Sequence, residues 1–111
     1  MDTAFLQKTI EKSKESIAIG GFPVGAVIVR NGEALSSGIS NGKQLDDPTS
    51  HAEMDAIRKA CQELHTRDLK DTVLYSSLEP CLMCFAASTW ASIPKIVYAC
   101  SRNRVSNKHY E

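Results

Sequence analysis

The chain has 111 residues, of which 42% are hydrophobic and 23% are charged, and its 13 Lys and Arg side chains balance 13 Asp and Glu. This length suits one hydrophobic core, so residues 1–111 are expected to form a single domain. The formal net charge of zero gives no support for a broad surface that binds nucleic acid or a membrane, and no apolar stretch approaches the ~18 residues of a membrane span.

The N-terminal sequence and the cysteines bear on the cellular compartment. The amphipathic, charged start "MDTAFLQKTIEKSKE" lacks the apolar run of a signal peptide, which predicts a cytoplasmic location. Four cysteines in a reducing compartment favour a metal site or a reactive thiol over disulfides.

Hydrophobic periodicity and turn residues predict seven elements in the order α-β-β-α-β-α-β. Helices are expected over about 3–18, 50–64 and 80–91, and strands over about 24–30, 33–40, 72–77 and 95–100. Asn31-Gly32 predicts a hairpin turn, whereas 41–48 and 101–111 are expected to be irregular. Because strands that alternate with helices require crossover connections, the pattern predicts an α/β fold in three layers, with parallel neighbours in its sheet.

Two short motifs place reactive side chains at predicted helix starts. "PTSHAEMDAI" puts His51 and Glu53 in a first helical turn, and "EPCLMC" puts Cys81 and Cys84 three residues apart, on one helix face. Side chains in a first turn can point past the helix end, so His51 and Glu53 can converge on an atom beyond it. Helix starts carry partial positive charge, which favours thiolates over thiols.

These side chains form a ligand set that suits zinc. One imidazole and two thiolates would leave the fourth tetrahedral position open, as in catalytic zinc sites. We therefore expect one Zn²⁺ per chain, held by His51, Cys81 and Cys84. Zinc lowers the pKa of a bound water toward ~7, and Glu53, beside the metal and not on it, would take up the proton and return it.

The H-x-E…P-C-x-x-C pattern resembles the signature of zinc-dependent nucleobase deaminases, and nearly the whole chain resembles the cytidine deaminase superfamily. "FPVGAVIVRNG", "DPTSHAEMDAIRKA" and "LYSSLEPCLMC" follow that family's order and spacing. The chain looks most like bacterial guanine deaminases and tRNA-specific adenosine deaminases, and "TSHAEMDAIRKAC" and "STWASIPK" look more like the guanine enzymes. The resemblance implies a three-layer α-β-α sandwich around a central mixed sheet.

The same resemblance implies further site residues. Asn41 would hydrogen-bond the base, and the backbone N–H of Cys81 would stabilise the tetrahedral oxygen. A backbone carbonyl near Leu78 would contact the departing amine, and Phe22 and Trp90 would stack on the base. The implied reaction is hydrolytic deamination of a small purine base or nucleoside, with guanine to xanthine favoured, by a homodimer.

Other functions stay open on the sequence alone. A tRNA-specific adenosine deaminase would convert adenosine to inosine, but it must bind RNA phosphates, and the neutral charge argues against this. A cytosine or cytidine deaminase belongs to the same superfamily. A non-catalytic zinc-stabilised interaction module would need a fourth protein ligand, for which Cys61 and Cys100 are the spare thiols.

The C-terminal region departs from the family pattern. The family usually adds a further helix and strand, or a C-terminal tail, which closes the pocket and selects the base. This sequence ends at Glu111, before either could form. We therefore expect either a C-terminally truncated domain or a pocket that another subunit completes.

Overall fold

The computed structural model describes residues 3–104. Its helices are α1 (Thr3–Ala18), α2 (Gly42–Leu45), α3 (Ala52–Leu64) and α4 (Leu82–Trp90), and its strands are β1 (Gly25–Arg30), β2 (Glu33–Ile39), β3 (Thr72–Leu78) and β4 (Lys95–Cys100). All seven predicted elements are present, and each begins and ends within two residues of its predicted bounds. None of the helices in the described range is long and apolar enough to cross a membrane.

Two segments expected to be irregular contain short helical turns. The helix α2 lies in the predicted loop, where a hydrogen bond from Asp47 N to Gly42 O (2.9 Å) closes it and the left-handed Asp46 (φ 51°) ends it. Four residues are too few to show a helical repeat of apolar side chains, so the sequence pattern does not reveal it. A 3₁₀ turn spans Arg102–Arg104, and the rest of the predicted tail, 105–111, lies outside the described residues.

The sheet has the strand order β2-β1-β3-β4 and is mixed. β1 is antiparallel to β2 and β3, whereas β3 and β4 are parallel. β2, β3 and β4 therefore run in the same direction. The connections β2-α3-β3 and β3-α4-β4 are crossovers between these strands, and each leads toward the β4 side of the sheet. Because such crossovers are right-handed, α3 and α4 lie on one face, and both begin at the same sheet edge.

The core consists of two layers of apolar side chains, one on each face of the sheet. Ala26 and Ile28 of β1 pack with residues of α3, β3 and the end of α4. The alternate residues Val27 and Val29 pack on the other face, against Phe5 and other residues of α1, β3 and β4. The period-two alternation of a strand thus separates the two layers, and the three-layer sandwich is confirmed.

Gly38 allows α3 to lie directly against the backbone of β2. A Cβ at Gly38 would lie 2.1 Å from the carbonyl oxygen of Ala52 and 2.6 Å from the nitrogen of Ala56. In the same region Asp55 Oδ2 accepts a hydrogen bond from the backbone N–H of Ile39 (3.1 Å). These contacts fix the first turn of α3 on the sheet.

Candidate metal centre and substrate cavity

His51 and Cys81 occupy equivalent positions at the starts of two helices. His51 is the N-cap residue of α3 and Cys81 is the N-cap residue of α4, and both have extended backbone angles. The sequence pattern placed each helix start two residues too early. An N-cap residue is only half within its helix, so its side chain can project past the helix end. Because both helices begin at one sheet edge, these two side chains meet there.

Three donor atoms cluster at this edge of the sheet. His51 Nδ1 lies 3.5 Å from Cys81 Sγ and 3.6 Å from Cys84 Sγ, and the three ligand atoms all lie within 4.8 Å of one another. Tetrahedral bonds of about 2.3 Å to sulfur and 2.0–2.1 Å to nitrogen separate the two donors by ~3.6 Å. The observed separations therefore fit a zinc ion.

The composition of the cluster indicates a catalytic rather than a structural metal site. Within residues 3–104, His51, Cys81 and Cys84 are the group whose ligand atoms come close enough to hold a metal. Cys61 and Cys100 are free cysteines outside this group, and both pack at the margin of the core. An ion held by the described residues would therefore keep one position for water or substrate.

Electrostatics favours the thiolate form at Cys81. The hydrogen bond from the Cys84 side chain is the largest cause that lowers the pKa of Cys81; His51 lowers it further, burial opposes the change, and the pKa falls to about 3. Burial instead raises the pKa of Cys61. Since thiolates are the form that binds zinc, Cys81 is prepared for a metal, whereas Cys61 is not.

Glu53 lies in the first turn of α3, two residues after His51, and is fully buried (0% exposed). Glutamate is almost never fully buried unless it is paired, so its burial here is an unusual feature of this helix start. The partial positive charge of the helix start favours a carboxylate there. The metal cluster and a buried acid thus share one helical turn.

A cavity of ≈ 410 Å³ lies beside the cluster, and His51 forms part of its wall. The half-buried Phe22 also lines it. The remaining wall residues are Gly20, Gly21, Ser40, Gly42, Lys43, Asp46, Asp47, Pro48 and Ser50. Asn41 lies between two of them and hydrogen-bonds to Ser50. The volume is typical of a small-molecule site. The fold brings Phe22 and His51 to its wall, and Asn41 is joined to this wall through Ser50.

Leu78 and Trp90 occupy different surroundings from Phe22 and Asn41. Leu78 ends β3 three residues before Cys81, and its side chain is buried in the core, so only its backbone remains for a substrate contact. Trp90 is not brought to the 410 Å³ cavity; it is 87% exposed and lines a separate cavity with Ile57. It ends α4, ~13 Å along the helix axis from the start. A stacking role for Trp90 therefore does not follow within one chain.

The sequence reasoning missed Ser50 and Arg58, which support the cavity wall. Ser50 directly precedes the HxE motif; it is almost completely buried and contacts Asn41. Arg58 donates hydrogen bonds to Ser50 and Thr49. The available signal is spacing, because Arg58 follows the N-cap His51 by seven residues, two helical turns, and so shares its face.

Comparisons with known proteins place these features in context. The model of the cytidine and deoxycytidylate deaminase zinc-binding region matches residues 1–100. The chain is 44% identical over 96 residues to a guanine deaminase of Bacillus subtilis and 41% identical over 95 residues to a tRNA-specific adenosine deaminase of Aquifex aeolicus. Each alignment covers 86% of the chain, which spans 62% and 63% of those two relatives.

A solved structure shows the same arrangement of the chain. The X-ray structure of guanine deaminase from Bacillus subtilis superposes with a TM-score of 0.92 at 38% sequence identity. The superposition covers 100% of this chain and 72% of that one.

Proposed function

The chain belongs to the cytidine and deoxycytidylate deaminase zinc-binding family, and from that premise we propose that it removes the exocyclic amine of a nucleobase by hydrolysis. The reaction we favour converts guanine to xanthine and releases ammonia. The observation that carries the proposal is the cluster of His51, Cys81 and Cys84 at two helix starts, with the buried Glu53 in one of them.

His51, Cys81 and Cys84 would hold zinc, which, when bound, makes water a nucleophile at neutral pH. Glu53 would accept a proton as the water oxygen bonds to the carbon that carries the amine, and would pass that proton to the adjacent ring nitrogen. Glu53 would then move the remaining proton of that water, now on the hydroxyl group of the carbon, to the departing nitrogen. The carbon–nitrogen bond would then break, leaving a carbonyl group and ammonia.

The cavity residues would bind and orient the base. Phe22 is the aromatic side chain beside His51 in the cavity wall and would stack on the flat ring. Asn41 would hydrogen-bond to the base edge. At the metal, the backbone N–H of Cys81 would donate to the developing oxygen, and the backbone carbonyl of Leu78 would accept from the amine.

The size and charge of the cavity support a free base over a polyanion. Its wall contains Lys43 but also Asp46 and Asp47, so it offers no excess of positive charge to phosphates. The formal net charge of the whole chain is also zero. Since binding to a nucleic-acid backbone depends on cationic side chains, the proposal places a small purine base in this cavity.

Glu53→Gln tests the proposed chemistry. The substitution keeps the shape of the side chain but removes its ability to accept a proton, so ammonia release from guanine should fall by about 10²–10⁴-fold while the protein still binds one zinc per chain. Glu63→Gln is the matched control, since Glu63 is an exposed residue of the same helix. Full turnover in Glu53→Gln, or a wild-type protein that binds no zinc, would contradict the proposal.

A tRNA-specific adenosine deaminase is the second candidate, because the identity to a relative of that name is 41%. An enzyme of that kind should shift tRNA in a gel at low salt and lose the complex as salt rises. We expect no shift, and ammonia release from guanine should exceed that from adenosine, cytosine and cytidine.

A non-catalytic zinc module would show a different metal environment. If a fourth protein ligand completed the site, the cobalt-substituted protein would have the absorption spectrum of a centre with four protein ligands. That spectrum would not change when guanine is added. We expect a centre with two sulfur ligands, one nitrogen ligand and an open position. The spectrum of cobalt in such a centre should change when guanine is added.

The proposed assembly is a homodimer. Large apolar side chains on α4 are exposed, with Leu82 85% and Phe85 55% accessible, and exposed apolar patches commonly mark interfaces. Light scattering after size exclusion should give twice the mass of one chain, and a monomer at all concentrations would exclude this part of the proposal.

A further inference from the structure

Ser50, which lines the cavity, is joined to the neighbouring Asn41 by two hydrogen bonds. The backbone N–H of Asn41 donates to the carbonyl oxygen of Ser50 (3.2 Å), and the hydroxyl of Ser50 donates to Asn41 Oδ1 (2.5 Å). Ser50 is 1% exposed, whereas Asn41 is half-buried. A buried hydroxyl thus engages the amide oxygen of Asn41, so the groups with which this side chain could bind a ligand are the N–H donors of its amide.

Arg58 determines which way the Ser50 hydroxyl points. Its Nη1 donates to Ser50 Oγ at 3.4 Å, and its Nη2 donates to Thr49 Oγ1 at 2.8 Å. Thr49 Oγ1 in turn donates to Asp47 Oδ1 at 2.7 Å, and Asp47 Oδ2 lies 3.8 Å from Arg58. Because a guanidinium can only donate, Ser50 accepts from Arg58 and directs its single proton to Asn41.

We propose that Ser50 is a positioning residue that sets which hydrogen-bonding groups Asn41 presents to the substrate, and that Arg58 orients Ser50 for this purpose. The inference rests on the proposed function, because it concerns the base that Asn41 would bind. Rotation of the amide by half a turn would exchange its oxygen and nitrogen. Ser50 as a donor disfavours that rotation, since N–H₂ would then face O–H and a buried donor would lose its acceptor.

This arrangement restricts the chemistry of the substrate. With its oxygen engaged by Ser50, Asn41 acts as a donor, so the base must present an acceptor at that point of its edge. Ring nitrogens without a hydrogen and carbonyl oxygens are the acceptors that a purine base offers. A base with a protonated nitrogen or an amine at that position would be disfavoured.

Ser50→Ala tests the role through both binding and turnover. In the zinc-loaded protein, its KM for guanine should rise about two- to tenfold, the range expected for one hydrogen bond, while kcat stays within twofold and zinc content is unchanged. The Kd for guanine, measured by calorimetry in Glu53→Gln, should rise by the same factor. In an Asn41→Ala background, Ser50→Ala should have no further effect on KM or Kd.

Two further serine variants accompany this test. Ser36→Ala removes a hydroxyl that donates to the carbonyl oxygen of Ala56 in α3 (2.8 Å) and leaves Asn41 untouched, so KM and Kd should not change. Ser50→Thr is instead a rescue variant: it keeps the hydroxyl, so its KM and Kd should return from the Ser50→Ala values toward those of the wild type. Its melting temperature shows whether the added methyl group is tolerated.

The possible outcomes separate this inference from the proposed function. An effect of Ser50→Ala that persists in the Asn41→Ala background, or that accompanies loss of zinc, would mean that Ser50 does not act through Asn41, and would overturn the inference. So would an unchanged KM and Kd. If the wild type releases no ammonia but the Kd values follow the expected pattern, the proposed chemistry fails and the positioning role stands.

Discussion

Gly38→Ala should disturb both the stability of the fold and the metal centre. The added methyl carbon would lie 2.1 Å from the carbonyl oxygen of Ala52 and 2.6 Å from the nitrogen of Ala56. Both are backbone atoms of α3, so no side-chain rotation can relieve the contact. Ordinary contact needs 3.4 Å or more, and the first turn of α3 must therefore move away from β2 by about 1.3 Å.

The magnitude follows from the displaced contacts. Overpacking of this kind costs about 1–3 kcal/mol, and the entropy lost by the unfolded chain on replacing Gly by Ala offsets only ~0.4–1 kcal/mol. We expect a net loss of about 1–2 kcal/mol in the free energy of unfolding. The same shift moves His51 by more than the ~0.2 Å tolerance of a metal bond. The affinity for zinc should therefore fall by about tenfold or more, the loss that follows when a residue that orients a metal ligand is removed.

Urea unfolding followed by circular dichroism, and zinc titration against a chromophoric chelator, measure the two effects. Gly32→Asn is the control, because Gly32 lies in the hairpin with open space around it and Asn tolerates its positive φ. The control should change stability by less than about 0.5 kcal/mol. A Gly38→Ala protein that matches the wild type in both measurements would refute the close packing of α3 on β2.

Two further outcomes are expected. Since the pKa of Cys81 is lowered to about 3, this thiol is deprotonated at any pH well above 3, and its alkylation by iodoacetamide in the zinc-free protein should be independent of pH between 5 and 8. The alkylation rate of Cys61, whose pKa is raised, should instead rise about tenfold for each unit of pH. Mass spectrometry distinguishes the two alkylated cysteines. A rise of about tenfold in rate per pH unit at Cys81 would exclude a thiolate there. Leu74→Ala should lower the free energy of unfolding, measured in urea, by about 2–5 kcal/mol because Leu74 is fully buried. In the control Leu45→Ala, at a side chain that is 59% exposed, the loss should be less than about 0.5 kcal/mol. Equal losses would show that Leu74 does not lie in the core.

The helices and strands could be predicted from the sequence because their signals are local. The Asn31-Gly32 turn has both residues at positive φ, which matches the hairpin expected from the dipeptide. The helix α2 was missed because a single turn has no periodicity. The expected mixed sheet is confirmed: within residues 3–104, β3 and β4 are parallel and the hairpin pair β1–β2 is antiparallel. The sequence did not predict that β1 would be inserted between β2 and β3. That insertion is a property of the whole sheet.

The metal cluster could be predicted because its residues lie in two short motifs at helix starts. Helices that follow strands of the same direction begin at the same end of a sheet, which brings these two starts together. The cavity wall was harder to predict. Phe22 lines the cavity, but Trp90 lies at the far end of α4, a distance that residue type alone does not reveal. The contacts of Ser50 depend on side-chain orientations across a loop and a helix, and no sequence pattern encodes them.

The two helix starts have a consequence for how the metal and the fold depend on each other. Helices commonly begin at Ser, Thr, Asp or Asn, whose oxygen accepts from the exposed N–H groups, but His51 and Cys81 make no such side-chain bond. A single bound ion would tie both beginnings together. Removing the ion should allow the first turns of α3 and α4 to unfold together. The supply of metal would then control the local stability of these two helix starts as well as the reactivity of the site.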